Sequence, residues 1–356
     1  MSGLRVTLVL GPSTGGIGQH IRSLASRLTA AGCVVRVAGP VATQERFGFG
    51  DHAEFVPLEL PAWSAVRQGR RVLVDADVLH AHGHTAGVIA AAATFAHQDA
   101  PALVVTWHNA VLSSGFRRTA LELAQRWVAR RTRVLLGASA DLVDEARRLG
   151  ARDARFVPVA APVLAPANRG RAEARTALGL AERPMVLAIG RLAPQKRYDV
   201  LLDGLARLVA RDAIPPLLVI AGEGPERTWM AERIARDKLP ALLLGHRSDL
   251  PNLLTAADAV VLTSQWEARA LAAQEALRAG VPLVATGVGG IPDLVGDAAL
   301  LVPPDDPEAL AVALAQALED PGEAKRLRAA GPRQAATWPG EDDTAAQIIG
   351  LYRELI

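Results

Sequence analysis

Cysteine occurs once in this 356-residue chain, as Cys33, so no intramolecular disulfide can brace it. Cys33 lies between a helical and a strand pattern and reads as a small packed hydrophobe. Aromatic residues make up only 4%, so alanine and leucine must carry the packing. Lysine appears three times, as Lys196, Lys238 and Lys325, and arginine supplies almost every other positive charge. The formal net charge is +2 with acids and bases interspersed, which leaves no electrostatic footprint for nucleic acid. No apolar run approaches the length of a membrane span. The chain enters a strand at residue 5 without a charged leader and cleavage site. A cytoplasmic protein is expected, with peripheral contact at the inner membrane face left open.

Half of the residues are hydrophobic, enough for two cores, and the length suits two domains. Short apolar runs alternate with amphipathic stretches. The first half predicts strands at 5–10, 34–39, 55–58, 78–82, 103–106, 134–138 and 155–159, with helices at 17–31, 85–96, 121–131 and 141–149. Residues 160–171 carry prolines and no helical period, and read as an extended linker. The alternation restarts with strands at 185–189, 217–221, 242–245, 259–263, 283–286 and 300–302, and ends in a helical stretch broken near Trp338-Pro339. Strands without strict alternation, separated by helices, predict parallel sheets covered on both faces. The expected architecture is α/β, two Rossmann-like doubly wound domains. The boundaries are 1–165 and 166–335, with residues 336–356 as a helix crossing back to the first domain. Ligands belong at the strand C-termini, in a cleft between the domains.

Several loops fall at those strand ends. Gly11-Pro12-Ser13-Thr14-Gly15-Gly16-Ile17-Gly18 joins the first strand to the first helix. Glycines there admit a close backbone approach, and a helix N-terminus favours phosphate. The spacing is not G-x-G-x-x-G, and Val37-Ala38-Gly39-Pro40 offers no acid for a ribose, so a dinucleotide site is disfavoured; a plain tight turn is the alternative. Gly190-Arg191-Leu192-Ala193-Pro194-Gln195-Lys196 follows the first strand of the second half. A forked and a point donor together suit a diphosphate, against the alternative of two surface bases. Gly222-Glu223-Gly224-Pro225, Gly245-His246-Arg247 and the glycine-rich loop 288–293 end neighbouring strands.

His80, His82 and His84 precede Trp107-His108-Asn109. His80 and His82 share a strand face, but no cysteine or carboxylate accompanies them at ligand spacing, so no metal is expected. His108 is the better placed to touch a substrate, with a hydrogen-bonded structural histidine as the alternative. Asp75-Ala76-Asp77 lies at the N-terminal end of its strand and reads as a turn. Glu267 and Glu275 stand eight apart, between a strand and a helix ending at Gly280. If the segment between them starts a helix, they share a face, beside free amides that suit an anion. Carboxylates for hydroxyls and amides for phosphate suit a nucleotide sugar. The alternative is two solvated glutamates at a helix start.

Taken in order, these motifs resemble family 4 of the retaining glycosyltransferases, which have the GT-B fold, two Rossmann-like domains facing across a cleft. The resemblance runs from Gly15-Gly16-Ile17-Gly18 through Gly190-Arg191-Leu192, Gln195-Lys196, Ala221 to Pro225, Leu244-Gly245-His246-Arg247, Trp266-Glu267 with Glu275, and Ala279-Gly280-Val281-Pro282 to Ile291-Pro292. It implies a retaining hexosyl transfer from a UDP- or GDP-sugar to a small-molecule, glycan or lipid-linked hydroxyl acceptor, with no metal and no other cofactor. Arg191 and Lys196 would bind the diphosphate, completed by Gly15 and Gly16. Glu267 would bind the donor sugar and Glu275 the ribose. The backbone of Ala270 and Leu271 would meet the phosphates, with Gly222 lining the pocket and His246 and Arg247 near the base. His108 would lie near the donor sugar and acceptor.

Where the family usually has glycine, aromatic, glycine after the first glutamate, this chain has Ala268, Arg269 and Ala270, so Arg269 is a further donor-side candidate. Arg197 replaces a usual glycine. A catalytically impaired sugar-nucleotide-binding protein and a nucleotide-sugar epimerase are the alternatives. Acceptor contacts are expected from loops 44–51 and 110–116, where Phe47, Phe49 and Phe116 hint at an apolar acceptor.

Overall fold

The structure is a computed structural model describing residues 3–356 apart from 14, 61–65, 67–69, 71, 96, 114, 181 and 212–213. Thr14 of the glycine turn and residue 96 of an expected helix thus lie outside the described residues. The chain forms two compact units, Met1–Ala161 with Pro339–Ile356, and Pro162–Trp338.

The first unit is built on a seven-stranded sheet. Its strands are β1 (Arg5–Leu10), β2 (Val34–Gly39), β3 (Glu54–Pro57), β4 (Val78–His82), β5 (Ala102–Trp107), β6 (Val134–Gly137) and β7 (Ala154–Phe156). They pair in parallel in the order β3-β2-β1-β4-β5-β6-β7. β4 and β6 are buried along their whole length, β6 with an uninterrupted apolar sequence and β4 with His80 and His82 enclosed among its apolar residues. The helix Gly16–Ala30 turns Ile21, Leu24, Ala25 and Leu28 onto the sheet, at helical spacing. The final helix, Glu341–Glu354, buries Ile348, Leu351 and Tyr352 in the same core. Arg27 pairs with Glu341 and Asp342 to fix its entry.

The second unit holds a six-stranded sheet of β8 (Met185–Ile189), β9 (Leu217–Ala221), β10 (Ala241–Gly245), β11 (Ala259–Leu262), β12 (Leu283–Thr286) and β13 (Leu300–Val302). All pairs are parallel, in the order β10-β9-β8-β11-β12-β13. One apolar cluster packs on each face.

Four expectations change. Glu267 stays outside the helix Leu271–Arg278, whose N-cap is Ala270, so the two glutamates are not on one helix. Residues 41–47 form a helix, and Phe49 is completely buried, so neither belongs to an open acceptor loop. The linker ends in a helix, Arg171–Ala177. The helix expected at 121–131 begins at Gly115, in a turn whose side chains are all exposed and give no apolar period. No helix among the described residues is long and apolar enough to cross a membrane.

Candidate functional site

Each sheet reverses its strand order beside its first strand, at β1/β4 and at β8/β11. Open α/β sheets hold ligands outside the strand C-termini at such reversals. In the second unit the loops leaving β8 and β11 are tied together there. Gln265 N–H donates to the Gln195 carbonyl at 2.8 Å, and the Thr263 hydroxyl donates to the Lys196 carbonyl at 2.8 Å. The Lys196 ammonium forms an ion pair with Glu267, whose carboxylate also accepts from the Ser264 hydroxyl at 2.7 Å. Ser264 is held in turn by Thr286, which donates to its carbonyl at 2.7 Å. Burial and the Glu267 charge push the Tyr198 phenol upward, so it stays neutral and donates to the Gly190 carbonyl at 3.3 Å.

The glycines here answer steric demands. A side chain at Gly222 would stand 1.8 Å from the Gly190 carbonyl oxygen, and one at Gly224 2.2 Å from that of Leu192. Gly289, at φ +54°, lies so close to Glu267 that a Cβ would come within 2.2 Å of its carbonyl. Gly290 N–H donates to that same carbonyl at 2.9 Å. The Glu267 backbone is thereby fixed from a third loop.

Arg191 is exposed and makes no hydrogen bond or ion pair among the described residues. The helix Leu271–Arg278 has no side-chain cap at its N-terminus, which leaves its first amides for a ligand. Glu275, one turn in, is largely buried, and its carboxylate has no hydrogen-bond partner among the described residues. Burial pushes its pKa up, with Arg278 opposing. The other donor-side candidates have partners or exposures of their own. The Arg269 guanidinium lies 5.7 Å from the Trp338 ring centre, with Arg278 at 5.8 Å from the same ring. Burial, then the Arg278 charge, push Arg269 down to about 10. Arg247 is held in a fork by Asp249 at 2.6 and 2.7 Å, and His246 is exposed.

In the first unit, Gly15 is the uncapped N-cap of the helix Gly16–Ala30, and a Cβ there would meet nothing within 4 Å. His80 and His82 on β4 and His108 after β5 are buried together with His20. His80 bonds the Tyr352 hydroxyl through Nδ1 and the Thr106 hydroxyl through Nε2, both at 2.6 Å. His82 Nδ1 and His108 Nε2 lie 3.1 Å apart. Burial first, then neighbouring imidazoles, push His82 and His108 well below the usual range. Asp75 and Asp77 form the turn expected of them and pair with Arg5 at the start of β1.

Comparison with known proteins decides the family. Residues 170–334 match the model for glycosyl transferases group 1, and residues 15–162 match that for the glycosyl transferase 4-like domain. The chain belongs to the group 1 glycosyltransferases. This glycosyltransferase is 29% identical to the glycogen synthase of Mycobacterium tuberculosis H37Rv, over 94% of the chain and 90% of that protein. It is 36% identical to the D-inositol 3-phosphate glycosyltransferase of Saccharomonospora viridis, over 52% of the chain and 46% of that protein. Among solved structures it resembles Anabaena HepE in complex with UDP-glucose. The TM-score is 0.83 and the identity 21%, over 98% of the chain and all of HepE. WaaG, a glycosyltransferase involved in lipopolysaccharide biosynthesis, matches with a TM-score of 0.73 and 18% identity, over 97% of the chain and 99% of WaaG. The fold of this glycosyltransferase is therefore GT-B.

Sequence reasoning passed over Ser264, Thr263 and Thr286, which orient the glycosyltransferase's Glu267 and Lys196. Single hydroxyls after a strand carry no pattern. It also passed over His20, whose place beside His82 and His108 follows only from the packing of the first helix.

Proposed function

We propose that the protein transfers a hexose-type sugar from a nucleoside diphosphate sugar to a hydroxyl acceptor, with retention at the anomeric carbon and without a metal ion. The observation that carries this reading is Glu275, a largely buried carboxylate without a hydrogen-bond partner among the described residues. It stands one turn into a helix whose N-terminus is uncapped. A ribose supplies two hydroxyl donors to such a carboxylate, and the diphosphate of the same ligand suits the open amides. The exposed Arg191 and the Lys196 ammonium add positive charge to that anion site. HepE, a structural neighbour, was solved with UDP and with UDP-glucose, which supports a uridine donor.

In the proposed reaction the bond between the anomeric carbon and the diphosphate oxygen breaks. The acceptor oxygen bonds to the same face of that carbon, and its proton passes to the departing phosphate oxygen. Arg191, Lys196 and the helix amides stabilise the charge that develops on the diphosphate. Glu267, already fixed by Lys196, Ser264 and the Gly290 amide, orients the sugar hydroxyls. Departure and attack on one face need no protein nucleophile. The acceptor is a small molecule, a glycan or a lipid-linked sugar.

The test is proton NMR of a transfer reaction run in excess EDTA, with UDP- and GDP-sugars. An α-linked product from an α-linked donor is expected. A β-linked product removes retention, and activity that disappears in EDTA and returns with magnesium removes metal independence.

A further inference from the structure

The histidines behind His108 carry a second inference, which rests on the reading of His108 as a substrate-facing group. His82 ends β4 and pairs in register with Thr106 of β5, two residues before His108. The rings of His82 and His108 are nearly parallel, 18° apart, with centres 5.3 Å apart and Nδ1 of one 3.1 Å from Nε2 of the other. Two ring nitrogens that face each other at this distance share one proton. His82 cannot turn away: His80, held by Tyr352 and Thr106, packs against it with ring centres 4.1 Å apart.

The remaining nitrogens decide where that proton sits. His82 Nε2 is fully buried with no partner. If His108 donated to His82, the single ring proton of neutral His82 would lie on Nε2, as a buried N–H without an acceptor. If His82 donates to His108, Nε2 is only a bare ring nitrogen. Orphaned buried N–H groups are the rarer of the two. His108 Nδ1 makes no hydrogen bond among the described residues, and it is not among the fully enclosed atoms, so it reaches solvent.

We propose that His82 is a positioning residue that donates through Nδ1 to His108 Nε2, so that His108 presents an Nδ1–H donor, and not a base, to an oxygen of the substrate. Among the described residues, the groups that face this pair are the imidazoles of His20, His80 and His84 and, behind His80, the Tyr352 phenol. None of them is a carboxylate that would draw a second proton onto either ring.

The test is long-range proton–nitrogen NMR on the full chain labelled with 15N-histidine, with His108 assigned by the signal lost in His108→Gln. At pH 7, a protonated Nδ1 and a bare Nε2 on His108 are expected. A protonated Nε2, an imidazolium or averaged tautomers overturn the proposal. Kinetics supply the second arm. His82→Phe keeps a ring and removes the donor, and should lower kcat about tenfold with the donor KM unchanged. His82→Asn carries an amide at the position of Nδ1 and should recover most of that loss. Equal losses in two folded variants also overturn the proposal. If no transfer is found with any donor, the proposed function fails while the NMR arm still decides the tautomer.

Discussion

Glu275 keeps a carboxylate where burial disfavours its charge, and its raised pKa is the sign of that cost. A group whose charged form is penalised in the folded state lowers stability above its pKa. Glu275→Gln should therefore raise the melting temperature of the ligand-free protein at pH 7. The same change should weaken nucleoside diphosphate binding about tenfold or more, because a charged acceptor is lost. Calorimetry on both proteins checks the two signs together, and a variant that binds as well as the parent removes Glu275 from the site. Lys196 presents the opposite case. Lys196→Ala removes the counter-ion of a poorly exposed carboxylate and a charge on the leaving group, so the transfer rate should fall about 10²-fold. Gly289→Ala tests the backbone alone. At φ +54° with a Cβ 2.2 Å from the Glu267 carbonyl, it must displace that residue, so activity and thermal stability should fall together.

At the scale of elements, the clearest consequence is a pH dependence set where β4, β5, the first helix and the last helix meet. Burial pushes His20 down to about 4 and, with the His20 charge, His80 down to about 3, from 6.5. The unfolded chain binds these protons near pH 6.5, whereas the folded chain binds them only near pH 4 and 3. Their contribution to stability is thus fully present above pH 6.5 and is lost as pH falls from 6.5 towards 4 and then 3. Melting temperatures between pH 7 and 4 should show this fall, and His20→Leu should flatten it. These elements also show what the sequence made legible. The strands were visible because runs such as Leu217–Ala221 are apolar throughout, the mark of a strand covered on both faces. The helix Val41–Phe47 was not. It is short and buries only Thr43, so no apolar period announces it. Phe49 looked like a loop aromatic because its burial comes from packing against elements distant in sequence. Of the candidate site, Lys196 and Glu267 were legible from their places after two strands, but their pairing was not, since 71 residues separate them.

Across the whole molecule, the chain leaves its first unit after Ala161 and returns to it after Trp338. The returning helix closes the first core with Ile348, Leu351 and Tyr352, and the Tyr352 hydroxyl satisfies His80. A chain ending at residue 338 should therefore lose the cooperative unfolding of the first unit and keep that of the second, as limited proteolysis with calorimetry can show. The second unit has its own sheet, its own two clusters and the groups proposed to bind the donor. The central claim is that those groups bind a nucleoside diphosphate, and the most direct measurement is isothermal titration of UDP and GDP, in EDTA, into the parent protein, Arg191→Ala and Glu275→Ala. The account predicts saturable binding of at least one nucleotide by the parent and a loss of about tenfold or more in affinity in each variant. No binding of either nucleotide, or unchanged affinity in both variants, contradicts it.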